Sequence, residues 1–209
     1  GIMFVVMIIM ARILPPADYG LVGMLTIFIA ISQTLVDSGF SNALIRKQDR
    51  TETDNSTVFY FNIAVAALLY LILALCAPLI ARFYNEPQLT ELTRVIGLSI
   101  VISSFAGVQR ALLTVDIDFR TQAKASLTAA VVSGAVGIAM AYSGFGVWAI
   151  VWCQLTNQGV NCLLLWVLSK WRPRLLYSWR SFRELFTFGS KLAASGLLDT
   201  LYNNIYLLV

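Results

Sequence analysis

Histidine is absent from the 209 residues, which removes the commonest zinc ligand and the usual general base together. Cysteine occurs three times, as Cys76, Cys153 and Cys162, each inside an apolar run and without C-x-x-C spacing. That pattern argues against a disulfide framework or a cysteine metal centre and reads as small buried hydrophobes. Charge is scarce as well: Asp, Glu, Lys and Arg make up 12% of the chain, against about 25% in an ordinary soluble domain. No Gly-rich phosphate loop appears, and no nucleophile with a histidine partner. Asp116 and Asp118 form a D-x-D pair such as nucleotide-sugar enzymes carry. Here it lies in a short loop with no soluble catalytic domain around it, and such pairs are common by chance. The expectation is a protein that is not an enzyme, has no metal or cofactor, and binds no nucleic acid.

What is abundant is apolar length. Hydrophobic residues make up 58% of the sequence and the mean hydropathy is +0.76, too apolar for one globular core. Spanning a bilayer as a helix takes about 20 apolar residues, and the runs are long enough to do so repeatedly. Ala11 to Gly20 separates the first two runs with Arg12, Pro15, Pro16 and Asp18. The prolines cannot continue a helix, and Asp18 is placed to cap the next one. Spans are expected at about 1–14, 19–38, 58–82, 89–113, 124–142 and 146–169. Together they form an N-terminal transmembrane lobe over 1–170.

Further signals mark the boundaries. Asn85-Glu86-Pro87 reads as the start of the fourth span, with Asn as cap. In the fifth, Ala125, Ala129, Ser133, Gly137 and Ala141 form a ridge of small residues that lets a neighbouring helix approach closely. A basic, aromatic linker over 171–190 follows the sixth span. Ser181 to Glu184 reads there as a capping box opening a short interfacial helix. A seventh span begins near 191 and is cut off at 209; the first span is also short, so both ends read as those of a fragment. Lys and Arg are distributed unevenly. Twelve of the 15 fall in the 2–3, 4–5 and 6–7 connections, leaving Arg12, Arg82 and Arg94 on the other side. The positive-inside rule then places the N-terminus in the cytoplasm and the Ala11–Gly20 bend outside. It also puts the Asn55-Ser56-Thr57 glycosylation pattern on the wrong side of the membrane.

Three polar stripes stand out within the spans. Gln154, Asn157, Gln158 and Asn161 follow i, i+3, i+4, i+7 and so share one helix face. Thr26, Gln33 and Asp37 do the same in the second span. Lys191, Ser195, Asp199 and Asn203 repeat every fourth residue in the seventh, with Tyr202 beside them. Two readings stay open: hydrogen bonds between packed helices, or the lining of a wet cavity. Asp199 lies about seven residues into its span, and an intramembrane carboxylate costs a few kcal/mol unless hydrated or paired. It is a candidate for proton or sodium coupling, or else a structural residue paired with Lys191 or with a neighbouring helix.

Several motifs together resemble a known family. They are Ala11 to Pro15 with Asp18-Tyr19-Gly20, Asp37 to Ile45, Arg82 to Pro87, and Ala111-Leu112-Leu113 with Phe119-Arg120. Gly144 to Ala149, Trp171-Arg172-Pro173 and Phe188 to Leu192 complete the set, in order along nearly the whole chain. The chain resembles Wzx-type polysaccharide (O-antigen) flippases of the MATE-like flippase (MOP) superfamily; Val115-Asp116 departs from the basic character expected there. The resemblance implies an all-α integral membrane protein with the MATE-like fold, comprising the first six-helix lobe and the start of the seventh helix. It also implies a bacterial inner-membrane location and a substrate of undecaprenyl-diphosphate-linked oligosaccharide, flipped by alternating access. The bilayer and polysaccharide polymerase or assembly proteins would be its partners. Asp199 and Asn203 are the match to the acidic-plus-amide cation site of related lipid flippases, with H+ or Na+ as coupling ion. Gln33, Gln154, Asn157, Gln158, Asn161, Lys191 and Tyr202 would line the glycan path. Arg12, Arg46, Lys47 and Arg110 would meet the diphosphate or the lipid headgroups. The sequence also admits a multidrug exporter of the same superfamily, or a non-transporting scaffold of a glycan-assembly complex.

Overall fold

The computed structural model describes residues 1–37, 40–46, 49–169 and 171–204. Among these residues the chain forms α1 (Ile2–Ile13), α2 (Pro16–Asp37), α3 (Phe40–Arg46), α4 (Glu52–Tyr84), α5 (Leu89–Val115), α6 (Phe119–Tyr142), α7 (Val147–Leu168) and α8 (Trp179–Asn204), and no strand. By length and apolar composition α2, α4, α5 and α6 can each cross a membrane. The amides of α7 dilute its apolar character, which is why it is not among them.

Burial sorts these helices by position. In α5, 61% of the most apolar window is buried inside the protein, against 22% in the more apolar α4. α5 is the central post, packed on α4, α7, α2 and α3. Its Leu92, Ile96 and Ile100 meet Leu25 and Ile29 of α2, Ala66 and Leu73 of α4, and Val151 and Leu155 of α7 in one core. α4 instead presents Leu68, Leu71, Ile72, Leu75 and Leu79 outward, an i, i+3, i+4 stripe suited to lipid rather than to a protein neighbour. Helix α6 uses its small residues as expected. Ala125, Ala129, Ser133, Gly137 and Ala141 are all buried. A Cβ on Gly137 would sit 2.8 Å from Cys153 Cβ on α7, and one on Gly134 would sit 2.5 Å from Val6 Cγ2 on α1. Close approach of three helices requires glycine at those two points.

The structure corrects four local expectations. Asn85 does not start a helix: it ends α4 in the left-handed conformation (φ 57°, ψ 31°), its N–H donating to the Ala81 and Arg82 carbonyls. An αL asparagine is a helix stop, and Pro87 then falls in the turn before α5. Asp18 is not a cap either. α2 starts at Pro16, so Asp18 lies in its first turn, where a carboxylate favours the positive end of the helix dipole. The cap at the start of α8 is Ser178, whose Oγ accepts from the Ser181 N–H at 3.3 Å; Ser181 is already helical. Finally, the expected interfacial helix and the seventh span are joined in the single helix α8, without a break at 190. Nothing in Gly189-Ser190-Lys191 forces one, because helical hydrogen bonding continues through glycine at a modest cost.

At one end of the bundle the first turn of α4 is polar yet buried: Asp54, Asn55, Ser56 and Thr57 are each at most 6% exposed. Thr51 and Asp54 form a reciprocal capping box there. The segment after α7 covers this turn. Its Arg174 N–H donates to Ser56 Oγ and its Ser178 N–H to Thr57 Oγ1, both at 3.2 Å. The Asn55-Ser56-Thr57 pattern is therefore helical and buried, out of reach of any modifying enzyme.

Candidate functional site

The amide row of α7 meets its surroundings in two ways. Asn157 Nδ2 donates to Ser133 Oγ of α6 at 3.1 Å, and Asn161 Nδ2 to Ser126 Oγ of α6 at 3.3 Å. These bonds tie α7 to the small-residue ridge. Gln154 and Gln158 are half-buried and have no hydrogen-bond partner among the described residues. With Asn157 they line a cleft of about 370 Å³ between α7 and α1, within the ordinary range of small-molecule sites. Met3, Met7 and Met10 of α1 form the opposite wall. Asn157 is also 3.9 Å from Met3 Sδ, reaching across the cleft. A cleft with amides on one side and methionines on the other offers paired donors and acceptors to hydroxyl groups, and an adaptable apolar face to carbon.

Tyr19 closes one end of this cleft, and its hydroxyl is buried without a hydrogen-bond partner among the described residues. Sequence reasoning treated Tyr19 only as part of a motif. The signal was available, since an amphipathic ring directly after the 15–16 proline turn must fold back toward α1 or point into lipid.

The remaining candidate residues are dispersed. Gln33 is half-buried on α2 and does not line the cleft. Lys191, Ser195, Asp199 and Tyr202 are exposed along α8, which packs on α2, α3 and α4. Among the described residues Asp199 has no ion-pair partner, so a pair with Lys191 does not form. Arg12 is exposed at the end of α1 and Arg110 near the end of α5. Lys47 and the side chains of Arg46 and Asn203 lie outside the described residues. Asp118 has a structural role. It caps α6, accepting from the Thr121 N–H at 3.1 Å and from the Thr121 hydroxyl at 2.7 Å. Those bonds hold its carboxyl below the usual range, aided by Arg120 and Lys124.

Asn62 and Gln109 are two further buried polar groups that the sequence reading passed over. Asn62 Nδ2 donates to Ser41 Oγ at 3.3 Å. Gln109, fully buried on α5, is oriented to donate to the Phe105 carbonyl and to accept from Trp166 Nε1. Both are interhelical ties and not a lining.

The arrangement defines a class, an all-α multi-pass membrane protein with the MATE-like fold. The chain superposes on an inward-facing multidrug resistance MATE family transporter of the MOP superfamily with a TM-score of 0.65 and 18% identity, over 96% of this chain and 51% of the other. At that identity the likeness is one of fold. A family profile described as polysaccharide biosynthesis protein matches residues 9–209, and the chain belongs to that family. It is 30% identical to the teichuronic acid biosynthesis protein TuaB of Bacillus subtilis, over 83% of this chain and 36% of the relative. Identity is 27% to the succinoglycan biosynthesis transport protein ExoT of Rhizobium meliloti (90% and 39%), and 24% to the lipopolysaccharide biosynthesis protein WzxC of Escherichia coli (100% and 43%). The chain thus spans about two fifths of the length of these curated relatives.

Proposed function

We propose that this chain supplies the first lobe of a transporter that flips undecaprenyl-diphosphate-linked oligosaccharide across the bacterial plasma membrane by alternating access. The observation that carries the reading is the α1–α7 cleft, where glutamines without a partner among the described residues face methionines inside a membrane bundle. Sugars need hydrogen-bonding partners for hydroxyls and apolar contact for ring carbons, and the cleft offers both without fixed charge. The relatives' names support the reading from another side. They concern teichuronic acid, succinoglycan and lipopolysaccharide, so a lobe suited to sugars in general fits better than one shaped to a single sugar. The protein works as a transporter and not an enzyme, beside the polymerase and assembly proteins that consume its cargo.

Coupling is assigned to Asp199 with Asn203, one turn apart on α8. The ion, H+ or Na+, biases the equilibrium only by binding one state more tightly than the other. The uneven Lys and Arg count places the N-terminus in the cytoplasm and Arg12 outside; a cysteine at position 12 would react with a membrane-impermeant maleimide in intact cells. The test of the whole reading is export by the full-length protein in cells lacking their own flippase. A Gln154→Leu/Gln158→Leu variant should express normally and lose most export; normal export would overturn the assignment.

A further inference from the structure

Between α7 and α8 the chain runs as a strap over 171–178 without helical structure, and α7 sets its depth. That helix is 22 residues long, about 33 Å at about 1.5 Å per residue, close to the ~30 Å of hydrocarbon in a bilayer. Val167 and Leu168 are exposed at its end, so the chain leaves the apolar layer there and enters the headgroups. From 170 to 183 the sequence holds five Lys or Arg and no Asp or Glu.

The strap is fixed through its backbone, by the bonds from Arg174 N–H and Ser178 N–H to the first turn of α4. Its side chains are left outside. Leu175 is 92% exposed, Tyr177 56% and Trp179 68%, and Arg172, Arg174 and Arg183 are exposed beside them. Among the described residues none of these three guanidinium groups has a carboxylate partner. Arg172 is braced without being neutralised. Its Nη1 donates to the Ser169 and Trp171 carbonyls at 2.8 and 2.9 Å, and its guanidinium carbon lies 5.7 Å from the centre of the Trp166 ring. Those bonds use one nitrogen of the fork and leave Nη2 and Nε for an outside acceptor. Neither pure water nor hydrocarbon suits this mixture. Exposed leucine and tryptophan are unfavourable in water, and unpaired cations are costly in hydrocarbon. The headgroup layer takes both, since aromatic rings settle at that level and arginine matches phosphate geometry.

We infer that the strap and the first turns of α8 form a docking surface for anionic phospholipid headgroups. Arg172, Arg174 and Arg183 meet the phosphates, while Leu175, Tyr177 and Trp179 sink toward the upper acyl chains. Charge complementarity selects the lipid. A zwitterionic headgroup brings its own ammonium to the phosphate, whereas a net-negative one leaves that phosphate for a stretch of chain that carries only cations. Because the backbone ties hold the strap to α4, a lipid bound there also anchors the root of α8, which opens at Trp179. The inference is independent of the transport reading, because it rests on neither the α1–α7 cleft nor the polar row of α8.

Electron paramagnetic resonance of the full-length protein in phosphatidylcholine membranes tests this, with trace spin-labelled phosphatidylglycerol or spin-labelled phosphatidylcholine as the probe. The protein should immobilise the phosphatidylglycerol about threefold or more in preference to phosphatidylcholine, because each arginine at the surface attracts anionic lipid. The preference should shrink as salt is raised. Arg172→Gln/Arg174→Gln/Arg183→Gln should lose most of it. Should that variant unfold, which thermal unfolding monitors, Arg174→Gln/Arg183→Gln gives the same reading with the braced Arg172 intact. The inference is overturned if the parent shows no preference or if both variants keep it in full. It is also overturned if pyrophosphate at matched ionic strength displaces the labelled phosphatidylglycerol, which would mark a site for a soluble phosphate anion.

Discussion

Helices α7 and α8 each carry polar side chains at helical spacing, and the structure puts the two rows to different uses. On α7 Asn157 and Asn161 bond to serines of α6, Asn157 at the border of the cleft, while Gln154 and Gln158 face that cleft without such a bond among the described residues. On α8 the row from Lys191 to Asp199 is exposed along its whole described length. Spacing says only which residues share a face. What covers that face decides whether they hold the fold together or remain available to a ligand.

Four experiments break or sharpen this contrast. The largest effect is expected from Asp199→Asn, on the exposed row: export by the full-length protein should fall to background while expression and thermal unfolding stay as in the parent. Normal export would remove the coupling assignment. Next comes the ridge behind the α7 row. Gly137→Leu must displace Cys153 and Met10, and such overpacking costs about 1–3 kcal/mol, so a clear drop in melting temperature is expected. Smaller still is Asn157→Leu, which removes one interhelical hydrogen bond worth about 0.6–2 kcal/mol. The matching Gln158→Leu should leave unfolding unchanged and reduce export, and equal stability loss in both would erase the distinction between tie and lining.

The smallest effect concerns the cap of α6. Because the Thr121 bonds lower the Asp118 carboxyl, its contribution is complete above the ordinary carboxylate range and fades as pH falls through the lowered folded value. Asp118→Asn should flatten that acid limb of the stability profile slightly, read by unfolding at a series of acid pH values.

How much of this could be read from the residues varies with the physical signal. Apolar runs announced the bundle, and the alanine–glycine repeat of α6 announced its tight packing, because both are periodic over many residues. Helix ends were harder. Asn85 can open or close a helix, and only its positive φ shows that it closes one. Ser181 satisfied a capping pattern, but Ser178 reached the helix first. Nothing local distinguishes Asn157 from Gln158 either: they are neighbours on one face, and the serine that engages Asn157 lies on another helix, 24 residues away. The role of the D-x-D pair was the least legible feature. Set aside as a chance pattern, it gave no sign that the fold uses Asp118 as a cap.

The unbroken course of α8 carries a mechanical consequence. A helix rises about 1.5 Å per residue, so the 21 residues from Trp179 to Asp199 make a stiff rod about 30 Å long. The strand of chain just before it is pinned to the first turn of α4 by Arg174 and Ser178. A rod clamped at one end and loaded along its length acts as a lever, with the smallest travel at the clamp and the largest at the far end. Any swing of α8 is therefore amplified toward Asp199, and an ion bound there, as proposed above, would act with the longest arm.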